Sequence, residues 1–449
     1  MYYIIIIFAL VFLFAYIKIR FPFWNMQPVF HSYDFWRYWS RIPFIIQHGN
    51  ALKTKYTTPK TVKTIPFLDI TEKQLSQFVD LLQCHYIPSD QVLTMIDTQT
   101  IRHYLTGHNH PAYISFFQED HFDLVINRDP SAVSILDILN NPTPVGCISS
   151  RPVRLFMWDT SDIIHDKMAY YFDHVCVHRD SQKKHLSRNL IQTHEYVQRM
   201  KNPDIPISLF KKEQILCEGI VPLVQFKIFT FYLRDVGIPP LPKHFTVVRI
   251  FKENMDILSD FLYGLSHPLP VNGPINNDKT DSKNNGQSSH PSLFSLCAFP
   301  EIGALNALIK NHLWYVYALR RGDHIYGLYF FKDAKTTYED IEHGNLLECV
   351  ACISNMNGGS NGLFFAGFLH SLRGIIDNHA KLEISKKMEK QQISQYRMIS
   401  FTDLAHNGQI LDKWRWKYSH VFENPAAYYI YNMVVPRMPI EKHRCLILL

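Results

Sequence analysis

The residues best placed to do chemistry lie in two adjoining runs, Asp173-His174-Val175-Cys176-Val177-His178 and Gln182-Lys183-Lys184-His185-Leu186-Ser187. The first is an apolar run carrying a carboxylate, a thiol and imidazoles, and it reads as a strand. The second is a short basic loop. A helix is expected from near Ser187, with Leu190, Ile191, His194, Val197 and Met200 on one side at helical spacing. The first N–H groups of a helix have no internal partner and point at an anion. Lys183, Lys184 and His185 add positive charge at the same place, so strand, loop and helix start together suit a phosphate or pyrophosphate. On spacing alone, the same residues also describe an ordinary strand-to-helix turn with a solvated basic loop.

The remaining composition narrows the classes. The chain has 449 residues, 47% of them hydrophobic and 19% charged, as in a globular protein too long for one ordinary core. Two domains of about 200 residues are therefore expected. The net charge of +6 is spread along the chain. It suits phosphates or an anionic membrane surface, and without a zinc-finger, arginine-rich or repeat signature it gives no ground for a nucleic-acid partner. Most of the eight cysteines sit in apolar runs and read as reduced core thiols, Cys176 among them. Cys349-x-x-Cys352 lacks the second pair that a zinc site needs, so no metal is expected.

Residues 2–17, YYIIIIFALVFLFAYI, are uncharged and apolar. As a helix they reach about 24 Å, close to a ~30 Å hydrocarbon core once Ile19 and snorkelling flanks are added. No basic stretch precedes them and no small-x-small site precedes Phe21, which argues against a signal peptide. Lys18 and Arg20 follow, so the positive-inside rule puts the bulk of the chain in the cytosol. The expectation is a single-pass membrane anchor using residues 2–19.

Beyond it, Thr71 is a candidate N-cap for a helix with a Leu75, Phe78, Val79, Leu81 and Leu82 stripe, and a second helix is expected over Asp97–Leu105. Strands follow at His110–Phe117, Pro144–Leu155 and Ala169–His178, with Asp120–Asn141 as a surface excursion. Pro239-Pro240-Leu241-Pro242 reads as a linker, and residues 272–293, rich in Asn, Ser and Gly, read as a disordered insertion. The second half then repeats the plan: a helix near Glu301–His312, a hairpin turning at Gly322-Asp323, a strand Leu346–Ser354, a loop at 355–362 without positive charge, and a helix. The chain finishes on an apolar run, Leu446-Ile447-Leu448-Leu449, that reads as a buried last strand.

Several of these segments resemble the glycylpeptide N-myristoyltransferases, a branch of the acetyltransferase-like (GNAT) superfamily. Residues 173–178 are similar to that family's N-F-L-C-V-H strand. Gln182-x-x-His185-x-Ser187 stands where the superfamily has Gln/Arg-x-x-Gly/Ala-x-Gly/Ala, without the first small residue. Phe23-Trp24-Asn25-Met26-Gln27-Pro28-Val29 resembles F-W-x-T-Q-P-V. The segment PVGCISSRPVRLFM from Pro144 resembles L-V-G-F-I-S-A-I-P-A, and Ala427-Tyr428-Tyr429-Ile430-Tyr431-Asn432 resembles Q-Y-Y-L-Y-N.

The resemblance implies an α+β fold of two tandem acetyltransferase-like lobes behind an N-terminal hydrophobic helix. Residues 1–20 would be the anchor, 21–238 the acyl-CoA lobe, and 239–449 the peptide lobe with the 272–293 insertion. It implies transfer of myristate from myristoyl-CoA to the N-terminal glycine amine of proteins, by a monomer. Phe23, Trp24, Gln27, Cys176, Val177, Gln182, Lys183, Lys184, His185, Leu186 and Ser187 would bind the CoA thioester. The backbone N–H groups of His174 and Val175 would form the oxyanion hole, and the terminal carboxylate, on Leu449, would be the base. Asp173 stands at a family Asn, and Cys217 at a Thr that helps hold the substrate ammonium. These two departures motivate the alternatives: a catalytically inactive, membrane-tethered acyl-CoA and peptide-binding protein, or a lysine acyltransferase on the same fold.

Overall fold

The structure, a computed structural model, describes residues 2–87, 92–118, 144–184, 186–233, 237–266, 293–338, 344–355, 361–387 and 396–449. The expected surface excursion at 120–141, nearly all of the insertion at 272–293, and residues 356–360 of the uncharged loop lie outside these residues. Alternation in the long strands builds one mixed sheet of fifteen strands among the described residues. Twelve of them lie on one path, in the order Cys445–Ile447, Leu296–Phe299, Pro144–Trp158, Ile164–Val177, Ser208–Glu213, Phe422–Tyr431, Val224–Tyr232, Tyr396–Thr402, Gly344–Ser354, His324–Tyr338, Trp314–Arg321 and Thr246–Arg249; Val62–Pro66, Tyr113–Gln118 and Val92–Thr94 pair beside it. The sheet runs straight through the sequence boundary near 238, because Phe422–Tyr431 is inserted between two strands of the first half.

Local chemistry sets the ends of the elements. Thr71 caps the helix Glu72–His85 reciprocally with Gln74: Thr71 Oγ1 accepts the Gln74 N–H at 3.3 Å and Gln74 Oε1 accepts the Thr71 N–H at 3.0 Å. Asp97 caps Thr98–Leu105 through the Thr100 N–H. The turn between the two longest strands of the first half is closed by Asp159, whose carboxylate accepts the N–H groups of Ser161 and Ile163. The last strand, Cys445–Ile447, pairs in parallel with Leu296–Ala298, as its apolar sequence suggests.

Two expectations change. Helix Leu186–Lys201 turns inward a more polar face than its apolar stripe indicates. Leu190 and His194 are buried, but Met200 is exposed and Val197 half-buried, while Thr193, Glu195, Gln198 and Arg199 are buried. The reason is a polar network. The His194 ring nitrogens meet Ser115 Oγ at 2.7 Å and Ser150 Oγ at 2.8 Å, Ser150 donates to Gln198 at 2.6 Å, and Arg199 donates to the carbonyls of Gln47 and Gly49. The second change concerns the N-terminus. Tyr2–Arg20 is helical, with Ile5, Ile7, Phe8, Val11, Phe12 and Phe14 exposed. At ~1.5 Å per residue it reaches about 28 Å, and its last turn carries Lys18 and Arg20, so the uncharged part falls short of a ~30 Å core. Among the described residues no helix is long and apolar enough to cross a membrane.

Burial holds three histidines neutral. It pushes His194 down to about 3 and, aided by Arg151, His108 down to about 4; burial and then His443 push His406 to about 4. The unfolded chain takes up these protons near pH 6.5, and the folded chain refuses them until far lower pH. Stability is therefore full above pH 6.5 and is lost as pH falls toward 4, on the order of 1–2 kcal/mol per histidine by pH 5. Thermal melts at pH 7 and pH 5 check this: a melting temperature that holds or rises at pH 5 contradicts it.

Candidate active site

The site begins where two parallel strands part. Ile164–Val177 pairs with Ser208–Glu213 only over Tyr170–Phe172 and Ser208–Phe210, and beyond Phe172 no register continues. On its other side the same strand bulges. Cys147 faces Cys176 and Ser149 faces Asp173, so His174 and Val175 together stand opposite Ile148. His174 takes a left-handed φ of +54°, a conformation that L residues adopt at a cost unless held there. Asp173, His174 and Val175 thus line an opening in the sheet with no register partner for Val175 on either side.

The second half makes the same parallel split and closes it. Asn345–Cys349 pairs with Tyr396–Phe401, and the gap beyond is filled by Asn407, fully buried, whose Nδ2 donates to the carbonyls of Thr402, Val350 and Cys349. One split is open and carries ionisable groups; the other is plugged by a single amide.

The Asp173 carboxylate accepts the N–H of His174 at 2.9 Å and lies 4.0 Å from His174 Nδ1, which meets Ser149 Oγ at 2.8 Å. Burial alone would raise the Asp173 pKa, but His174, Lys332 and Arg151 outweigh it and hold it at about 2. Burial pushes His174 down against the pull of Asp173. Asp173 is therefore an anion at neutral pH and His174 a neutral ring. Of the expected oxyanion pair, the His174 N–H is engaged by the Asp173 carboxylate, and Val175 has no register partner in the sheet.

Charged groups that the sequence reading passed over surround this point. Lys211 Nζ lies 2.6 Å from Glu213 Oε1, and burial of Lys211 is outweighed by Glu213 and Glu348, which raise its pKa. Burial and then the charge of Asp173 raise Tyr86 and Tyr171. Arg151, from Pro144–Trp158, is 1% exposed with its guanidinium carbon 5.2 Å and 5.6 Å from the Tyr104 and Tyr171 rings. The one available signal was a charged residue at an inward position of an otherwise apolar strand.

Leu449, the last described residue, lies in the core that the opening's strand also lines. Leu448 donates to the Ala298 carbonyl at 2.8 Å, and Leu449, 5% exposed, packs in the cluster that holds Tyr171, Phe226 and Tyr428. Tyr171 is two residues from Asp173 and on the same face of its strand.

The remaining expected residues divide. Phe23 is buried edge-on to Trp24 and Tyr56, and Trp24 stacks on Phe210 at 5.7 Å. Gln27 accepts the Tyr431 hydroxyl at 2.8 Å, tying residues 23–29 to the strand Phe422–Tyr431. Cys217 lies on a loop, not at a strand end, because Gln214 and Gly219 both take positive φ. It sits against Trp24, Phe210 and Tyr429, and its N–H donates to the Tyr429 hydroxyl at 3.0 Å. Burial pushes its thiol up to about 11, which suits neither a nucleophile nor a strong hydrogen-bond partner. Cys176 turns its thiol into the core, donating to the Leu81 carbonyl, and leaves only its backbone for a ligand; Val177 is half-buried. The His178 ring lies against that of His85, tilted, with centroids 4.0 Å apart. Arg179–Lys184 forms a 3-10 turn leading to the helix start at Leu186 and Ser187. His185 and the side chains of Gln182, Lys183 and Lys184 lie outside the described residues. No group of three or more His, Cys, Asp or Glu side chains among the described residues is placed to hold a metal ion.

No family model matches this sequence, and no curated protein does. Solved structures do. Saccharomyces cerevisiae N-myristoyltransferase with bound myristoyl-CoA is similar at a TM-score of 0.61 and 13% identity, over 94% of this chain and 94% of that one. A second structure of that enzyme with bound myristoyl-CoA gives 0.62 and 13% over 93% and 89%, and one with inhibitors gives 0.61 and 13% over 94% and 91%. Along almost its whole length, then, this chain has the N-myristoyltransferase fold, carried by a very different sequence.

Proposed function

We propose that the protein transfers myristate from myristoyl-CoA to the α-amine of an N-terminal glycine. The observation that supports it most is the open split at Asp173–Val175, which leads within a few residues into a basic turn and a helix start. It occurs in a fold whose solved neighbours were crystallised with myristoyl-CoA. Lys183, Lys184, His185 and the first N–H groups of Leu186–Lys201 hold the CoA phosphates. Phe23, Trp24 and Gln27 cover the cofactor, whose carbonyl lies against the backbone of Val175.

The chemistry is addition and elimination. The glycine ammonium, with an ordinary pKa near 8, gives a proton to the carboxylate of Leu449, and the free amine attacks the thioester carbon. The oxygen gains charge and takes the Val175 N–H. The C–S bond then breaks, and the departing thiolate takes the nitrogen's second proton, so that the amide and CoA thiol are the products. Asp173 holds the ammonium before attack. No side-chain nucleophile is needed, in keeping with the buried Cys176.

The same reading puts the protein at a membrane surface. Its support is the exposed apolar helix Tyr2–Arg20, followed in sequence by a run in which Phe35, Trp36, Trp39 and Ile42 are exposed, Trp36 at 90% and Trp39 at 82%. Arg20 pairs with Glu218, joining the helix end to the body. Aromatic side chains at this density favour the headgroup region. Flotation with anionic vesicles tests this: the full chain should float, and one lacking residues 2–19 with Trp36→Ser and Trp39→Ser should not; a full chain that stays at the bottom removes the reading.

The function itself is tested with labelled myristoyl-CoA and peptides that begin with glycine, acetylglycine, or acetylglycine plus an internal lysine. Label on the first alone is the expected result. Label on the internal lysine assigns a lysine acyltransferase, and label on none removes the proposal.

A further inference from the structure

Arg151 has all three guanidinium nitrogens buried and without a hydrogen-bond partner among the described residues. The anionic Asp173 supplies charge at a distance, but five buried N–H donors with no acceptor are costly, and a ligand that accepts from them would complete the site. The side chain is held between rings: its carbon lies 5.2 Å from the Tyr104 centroid and 5.6 Å from that of Tyr171. Lys332 Nζ lies 5.3 Å from the same Tyr104 ring, and Lys332 has no ion pair within 4.0 Å among the described residues. The Tyr104 hydroxyl is likewise buried and unpartnered. In the segment that this strand resembles, Ile stands at the position of Arg151, so the cation is a feature of this chain.

Its place in the sheet says what it faces. Arg151 pairs with Tyr171, and Ser149 pairs with Asp173, so Arg151 and Asp173 are diagonal neighbours on one face. They form no ion pair with each other. A cation and an anion stand apart across one corner of the opening: Asp173 accepts the His174 N–H, and the Arg151 donors have no acceptor. The CoA phosphates are not that charge. Their turn begins beyond Val177, six residues further along the strand, which is about 20 Å away.

Resting on the acyl-transfer reading, we infer that Arg151, backed by Lys332 and Tyr104, binds a carboxylate carried by the acceptor close to its amine. Asp173 takes the ammonium while the planar guanidinium takes the carboxylate through paired N–H donors. The carboxylate belongs either to an acidic residue at position two or three of a glycine-initiated peptide or to a free amino acid. In either case Arg151 sets specificity and does no chemistry on the reacting atoms.

The test measures kcat/KM of the full chain for glycine-initiated peptides with Asp or Asn at position two or three, and for free glycine. A preference for Asp over Asn of about tenfold or more is expected from a charge-assisted pair. It should collapse toward unity in Arg151→Met and Arg151→Ile. A ratio within one variant does not depend on how much of it folds. Free glycine preferred over all the peptides, with that preference lost in both variants, assigns the carboxylate to a free amino acid. Equal values for Asp and Asn with no use of free glycine, or an Asp preference that survives both substitutions, overturn the inference. If no acceptor is acylated, the transfer reading has failed on its own. Calorimetric titration of the Gly-Asp peptide then decides: binding lost in Arg151→Met keeps the subsite, and binding unchanged removes it.

Discussion

Adding one glycine after Leu449 abolishes transfer while leaving acyl-CoA binding in place. The reasoning is positional. The parallel pairing of Cys445–Ile447 with Leu296–Ala298 and the Leu448 N–H to the Ala298 carbonyl fix the last residues to within a hydrogen bond. Leu449 is buried in the cluster that includes Tyr171 and Tyr428. Burial of a carboxylate base of this kind favours its protonated form, the direction that accepting the amine's proton requires. One added residue moves that charge by ~3.3 Å and puts a neutral peptide group in its place. General-base catalysis contributes 10²–10⁴-fold, so kcat should fall by about that much with little change in affinity for acyl-CoA. Steady-state kinetics and equilibrium binding on the same preparation separate the two effects. An extended chain that keeps its kcat places the base elsewhere.

Asp173→Asn is expected to change both acceptor affinity and the pH profile. An anion beside the glycine ammonium favours the charged form, so in the native protein the amine loses its proton above its ordinary pKa near 8. Only the free amine attacks. The rising limb of kcat against pH therefore lies above 8 in the native protein and moves down by about one unit in the variant. The acceptor KM rises by about tenfold or more, because the ammonium loses a charged partner. The Asn amide oxygen still accepts the His174 N–H seen at 2.9 Å, so the change near pH 7 comes from the lower amine pKa, and kcat there should hold or increase. A profile that stays in place on substitution would mean that Asp173 does not face the amine.

Much of this architecture was legible because it is written locally. The strand into Asp173–His178, the basic turn, the helix start, the Thr71 cap with Gln74 and the apolar last strand all follow from residues within a few positions of each other. The resemblance carried the fold across a sequence that family models do not match. What was missed depends on distant partners. The face of Leu186–Lys201 is set by Ser115 and Ser150, 79 and 44 residues from His194. The Cys217 loop is shaped by the positive φ of Gln214 and Gly219, which no periodicity reports. Arg151, Lys211 and Lys332 come from three strands and meet near Asp173 only in the sheet, so no spacing could join them. The plug at Asn407 reads in sequence as one more helix-start asparagine; its three carbonyl partners are visible only where two strands diverge.

The central claim is that the opening at Asp173–Val175 transfers an acyl group and does not merely hold one. The direct measurement is a single turnover: the full chain is saturated with one equivalent of myristoyl-CoA, a glycine-initiated peptide is added, and released CoA thiol is counted. The account predicts about one thiol per chain, appearing only when the free-amine peptide is added, with the label recovered on its glycine. Tight binding of myristoyl-CoA and of the peptide with no thiol released would contradict it, and would leave a binding protein on a transferase fold.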